Sequence, residues 1–174
     1  LTDRCAVTMT RWYTGDDPES ARLLVLAAAG LERLGVAPGR ARDHIYFVAR
    51  GKVGTLIAKR APFTKAERER LETASRLAGH EVVVSPTLGN HYLARLVNAG
   101  AWSDLVKAEH KNLLPPTDDW PFFFYFLKAS DIWKTLRQAG EGAKTRDTAL
   151  WLLLSIGSCL IFLTGACVIL PLVV

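Results

Sequence analysis

The chain reads as an α/β fold followed by short helices and a C-terminal transmembrane helix. Three observations predict this. Runs rich in β-branched and aromatic residues alternate with helical periodicity in the order strand, helix, hairpin, helix, strand. The stretch Thr148 to Val174 carries no charged side chain, and a helix needs ~20 apolar residues to cross the ~30 Å hydrocarbon core of a bilayer. Neither internal repeats nor a disulfide framework appear, because the cysteines are only Cys5, Cys159 and Cys167.

The first strand is Cys5-Ala6-Val7-Thr8-Met9-Thr10-Arg11-Trp12-Tyr13. Asp17 then offers a helix cap, Pro18 suits the first helical position, and Glu19 complements the N-terminal dipole. Leu24, Ala27, Ala28, Leu31 and Leu34 recur at helical spacing until Gly35 provides a left-handed stop. His44 to Arg50 and Gly54 to Arg60 flank a short glycine-bearing turn and predict a hairpin. Its first strand should run parallel to Cys5–Tyr13, because a helix joins them. Thr64 to Glu67 has capping-box form, opening a charged helix that ends at Gly79, and Glu81 to Ser85 is a short strand.

Beyond Asn90 the pattern weakens to short helices, His91 to Asn98 and Trp102 to Lys107, and a proline-fenced turn around Thr117-Asp118-Asp119. Phe122-Phe123-Phe124-Tyr125-Phe126-Leu127 is either a core segment or an interfacial belt; nearby Trp133, Lys128, Lys134 and Arg137 favour the belt. Ser130 to Ala139 reads as a short amphipathic helix. Lys128, Lys134, Arg137, Lys144 and Arg146 precede the apolar segment, so the positive-inside rule predicts an inner (plasma) membrane protein whose soluble part is cytoplasmic. The expected domains are 1–88, 89–147 (helical, aromatic, juxtamembrane) and 148–174 (transmembrane).

Net charge is +5, a balance that suits an anionic lipid surface. No nucleic-acid motif accompanies it, and Glu67, Glu69 and Glu72 interleave with Lys65, Arg68 and Arg70 as on a solvated helix face. The expected partner is therefore the lipid bilayer, with no nucleic acid. His44, His80, His91 and His110 lack ligand spacing, so no metal is expected.

Three stretches carry a family resemblance: Val7-Thr8-Met9-Thr10-Arg11-Trp12 with Pro18 to Leu23; Gly54 to Thr64; and Pro116-Thr117-Asp118-Asp119-Trp120-Pro121-Phe122-Phe123-Phe124. They resemble bacterial membrane proteins with a spermidine-synthase-like, class I S-adenosylmethionine-dependent methyltransferase-type domain. Trp120 stands where the family pattern has arginine. The resemblance implies a partial Rossmann-like sheet, with Cys5–Tyr13 as the fifth of seven strands and the hairpin holding the sixth and seventh. It also implies that this is a C-terminal fragment. The glycine-rich cofactor loop, the ribose-binding acid and the catalytic aspartate would lie in a missing N-terminal part of the same protein. S-adenosylmethionine or a relative would then be a cofactor of the full-length protein, with none bound by this chain and no activity from it alone.

In open α/β sheets ligands sit at the carboxyl ends of the strands, which makes Arg11, Trp12 and Tyr13 the substrate-binding candidates. A polyamine fits poorly there, since like charges at ~4 Å and an effective dielectric near 20 repel by ~4 kcal/mol. Thr117, Asp118 and Asp119 form a motif that reads either as an acid–base pair or as a turn held by side-chain to backbone bonds, and the turn is favoured. No catalytic residue is assigned. The function expected is the C-terminal part of a membrane-anchored transferase of this type. The alternative is a non-catalytic membrane protein whose degenerate domain serves as a binding or regulatory module.

Overall fold

The computed structural model describes residues 5–15, 17–87, 92–98, 102–109, 111–121, 123, 124, 126, 128 and 148–169. The chain divides into two compact units, Leu1–Lys128 and Ala129–Val174.

The first unit is α/β. Strand β1 (Ala6–Trp12) leads into helix α1 (Pro18–Arg33), and a 3-10 turn (Ala41–His44) precedes β2 (Ile45–Arg50), β3 (Val53–Lys59), α2 (Lys65–Leu77) and β4 (Glu81–Val84). Two short helices follow, α3 (Tyr92–Asn98) and α4 (Trp102–Ala108).

Local chemistry sets the element ends. Asp17 caps α1, its Oδ1 accepting from the Ser20 backbone N–H at 2.7 Å and its Oδ2 from Thr14 N–H at 3.0 Å. Gly35, at φ +93°, closes the helix, with Val36 N–H returning to the Leu31 carbonyl at 3.0 Å. The β2–β3 hairpin turns on two residues, and Gly51 at φ +57° supplies the positive φ that the first position of such a turn requires. Helix α2 opens with the expected capping box between Thr64 and Glu67.

The sheet order is β1-β3-β2-β4, and every neighbouring pair is antiparallel. This corrects the partial Rossmann-like sheet. β1 and β2 do point the same way, since each is antiparallel to β3, but they do not pair. The reason is that the two-residue turn lays β3 against β2, and β3 then occupies the slot beside β1.

One face of the sheet packs on α1 and α3, burying Leu24, Val25, Ile45, Phe47, Leu56, Val84, Leu93 and Val97 together. The opposite face is covered more thinly by α2, where Tyr46, Val48 and Phe63 form a small second cluster with Ile57, Leu71 and Val82.

The second unit contributes α5 (Thr148–Thr164), followed by a π-helical turn at Gly165–Ile169. No helix among the described residues is long and apolar enough to cross a membrane. The expected transmembrane helix over 148–174, and with it the transmembrane description of the chain, is corrected accordingly. The α-helical run is 17 residues; at ~1.5 Å per residue it measures about 26 Å, below a ~30 Å hydrocarbon core. Freedom from charge extends over 27 residues of sequence, but regular α-helical hydrogen bonding stops at Gly165. The expected amphipathic helix Ser130–Ala139, the cations Lys134, Arg137, Lys144 and Arg146, and Trp133 lie outside the described residues.

Candidate functional site

Because β1 and β2 share a direction, their carboxyl ends and the capped start of α1 lie on one rim of the sheet. Arg11, Trp12 and Tyr13 reach it together but face differently. Alternation along β1 puts Arg11 and Tyr13 on the α1 face and Trp12 on the other.

Tyr13 belongs to the core. Its ring meets Phe47 edge-to-face at 5.4 Å, and it is 9% exposed. Trp12 is 72% exposed, leaving a whole indole face for a ligand. Arg11 is half covered. Its Nη2 lies 3.7 Å from the Glu19 carboxylate, and its guanidinium carbon sits 4.6 Å from the Phe123 ring centroid and 5.0 Å from that of Phe124.

Below this rim lies Arg22, which the sequence reading passed over. It is 2% exposed, and its guanidinium donates to the backbone carbonyls of Phe123 and Asn112. The Phe126 ring stacks on it at 4.3 Å. Burial lowers the pKa of this arginine, as expected for a cation taken out of water. Together Arg11 and Arg22 alternate with Phe124, Phe123 and Phe126, pinning these residues and Asn112 over the start of α1. Phe123 and Phe126 also pack against the main core. These two rings therefore belong to a folded clasp rather than to an interfacial belt, while Trp120 and Phe124 remain largely exposed. One signal for Arg22 was present in the sequence: it interrupts a run of small and apolar helix residues between Ala21 and Leu23.

Thr117, Asp118 and Asp119 form a tight turn. Thr117 and Trp120 exchange backbone bonds at 3.2 and 3.0 Å, leaving both aspartates exposed at its tip. That geometry is a turn closed by backbone bonds, with both carboxylates on its exposed side. Beside the clasp, an open cleft of about 460 Å³ is lined by Asp17, Ala21, Tyr92, Arg95, Glu109 and Lys111. Its polar lining mixes both signs of charge. Asp17 is committed to capping, its Oδ2 also accepting from the Ser20 hydroxyl at 3.1 Å, and Glu19 is committed to Arg11.

Among the described residues no group of His, Cys, Asp and Glu is placed to hold a metal ion. The described residues do not fit S-adenosylmethionine by themselves. β1 is followed by the capping turn, and no strand among the described residues leads into a Gly-x-Gly loop. No family model, curated protein or solved structure matches the chain.

Proposed function

We propose that this chain is the distal half of a spermidine-synthase-like, S-adenosylmethionine-type transferase domain, contributing the acceptor-facing wall of the site and not its cofactor loop. The observation that carries the reading is the shared direction of β1 and β2 with α1 between them. This arrangement sets Arg11 and exposed Trp12 on the carboxyl rim, where α/β sheets take ligands. On that wall Arg11, held by Glu19 and two phenyl rings, offers a fixed cation on the α1 side of the rim, while Trp12 offers a stacking surface on the opposite side. An acceptor with anionic character suits Arg11 better than a polyamine. Cofactor binding belongs to a partner segment that brings a glycine-rich loop.

A second reading is favoured by the fate of the carboxylates. Asp17 and Glu19 are spent on structure and Asp118 and Asp119 on a turn, as in a degenerate domain that binds without catalysing.

Titration calorimetry tests the proposal. The isolated chain should give no heat of S-adenosylmethionine binding, whereas a longer polypeptide that adds the preceding segment should bind it. Micromolar affinity in the isolated chain would refute the assignment of the cofactor loop elsewhere. Binding without methyl or aminopropyl transfer in the longer polypeptide would favour the degenerate-domain reading.

A further inference from the structure

Helices α1 and α3 pack side by side on one face of the sheet, and α3 also touches the 3-10 turn and β4. β4 and β1 are the opposite ends of the sheet, so the cleft between α1 and α3 lies on the α3 side of α1. Strands laid against β1 would extend the sheet in the other direction. The cleft's volume of about 460 Å³ falls within the ~300–1,000 Å³ of small-molecule sites.

Three walls each turn one face inward. From α1 come Pro18 and Ala21, one turn apart. From α3 come Tyr92 and Arg95, likewise one turn apart, because Leu93, Leu96 and Val97 are buried and fix the rotation of that helix. The third wall is the segment leaving α4, where Glu109, Lys111 and Leu113 hold alternate positions. That segment is tethered: Lys128 Nζ donates to the Lys107 carbonyl at 3.0 Å and to the Glu109 carbonyl, Arg22 holds the Asn112 carbonyl, and Leu113 is buried. The walls are therefore set before a ligand arrives.

Among the described residues four charged groups line the cleft, and one is already answered. The Asp17 carboxylate accepts from Thr14 N–H, Ser20 N–H and the Ser20 hydroxyl. Arg95, Lys111 and the Glu109 carboxylate have no ion pair among the described residues. We infer that this cleft binds a small amino dicarboxylate, a molecule with two anionic groups and one ammonium on a short carbon chain. Arg95 and Lys111 each take one carboxylate, Arg95 with its planar fork of donors, and Glu109 takes the ammonium. The chain carbons rest on Pro18, Ala21 and Leu113. A simple dianion would meet Glu109 as a like charge, and an amino acid with one carboxylate would leave a cation unanswered. This inference does not rest on the transferase reading.

Titration calorimetry of the full chain with L-glutamate and L-aspartate tests it, with glutarate and inorganic phosphate as comparison ligands. Saturable binding of an amino dicarboxylate is expected, tighter than that of glutarate, which lacks the ammonium. Arg95 and Lys111 are exposed, so Arg95→Ala and Lys111→Ala should leave circular dichroism unchanged while each weakens binding about tenfold or more. Glu109→Gln gives a readout that a loss of structure would not: it should weaken L-glutamate and strengthen glutarate, because a like charge is removed. No saturable heat with either amino acid at millimolar concentration, or affinity indifferent to Arg95→Ala and Lys111→Ala, would overturn the inference. So would phosphate or glutarate binding as tightly as L-glutamate, or Glu109→Gln weakening L-glutamate and glutarate alike.

Discussion

Gly54 sits on β3 opposite Arg11, beneath the Tyr13–Phe47 ring pair. A Cβ added there would lie 2.5 Å from Phe47 Cζ and 3.0 Å from Tyr13 Cβ. Ordinary contact begins near 3.4 Å, so the Phe47 ring would have to retreat by roughly 0.9 Å in a core where overpacking is costly. Phe47 is 1% exposed, leaving no solvent side to move into. The Gly54→Ala chain should therefore lose about 1–3 kcal/mol of stability. At roughly 4 °C per kcal/mol for a domain of this size, that lowers the melting midpoint by roughly 4–12 °C. Urea unfolding followed by circular dichroism gives the free energy directly. Because the clash is with one ring, pairing Gly54→Ala with Phe47→Leu should cost at least ~1 kcal/mol less than the sum of the single changes. A Gly54→Ala chain within ~0.5 kcal/mol of wild type, or strict additivity with Phe47→Leu, would refute the packing argument.

Arg22→Ala should destabilise the first unit by about 2–4 kcal/mol, since two buried carbonyls lose their donor and the Phe126 ring loses its cation. Arg22→Lys should recover only part of this, and the release of the clasp should appear as faster proteolytic cleavage between 112 and 126. Glu67 is held down to about 2, chiefly by its hydrogen bond from Lys59 and then by Thr64. Its folded value lies below its unfolded one, so its contribution is present above about pH 4.5 and is lost as pH falls toward 2; Glu67→Gln should flatten that part of a stability-against-pH curve. Tyr46 is pushed up to about 12, first by burial and then by Glu72. Here the stabilising form is the neutral phenol, so its contribution is complete below pH ~10 and disappears as pH rises through about 12. Ultraviolet titration should show a late phenol that moves only part of the way back in Glu72→Gln, because burial, the larger cause, persists with the core intact. Complete titration of all tyrosines by pH ~10.5 in the folded chain would contradict it.

The features legible in the sequence are those whose causes are local. Asp17-Pro18, the Thr64/Glu67 box, the Gly51 turn and the Gly35 stop each act within a few residues, and each stands in the structure where its chemistry places it. Thr117-Asp118-Asp119 likewise declares its turn. The order of the strands is different in kind. Whether β2 or β3 lies beside β1 depends on a register formed across some 40 residues, for example Met9 with Leu56, and no local signal fixes it. The same holds for the candidate site. Alternation groups Arg11 with Tyr13, but only Phe47 shows that Tyr13 is core. The Phe123 and Phe126 rings look like a lipid anchor until Arg22, about a hundred positions away, is seen to hold them. For the apolar C-terminus, counting uncharged residues says nothing of where helical hydrogen bonding changes to the wider π pattern at Gly165.

Helix α2 buries only Ser75 fully, so its apolar face contributes little to holding it. It is fastened instead at discrete points. Lys59 reaches across from β3 to both Glu67 oxygens at 2.7 and 2.6 Å, and Tyr46 bonds Glu72 at 3.2 Å. A helix fastened this way detaches without dissolving the main core, because its removal uncovers the small Tyr46–Phe63 cluster and leaves Leu24, Ile45 and Phe47 packed. In native-state hydrogen exchange its mid-helix amides should thus trade with solvent through a partial opening well below the global unfolding free energy. The amides of α1 and β2 should wait for the whole unit to unfold, making α2 the first element of this domain to fall away under mild stress.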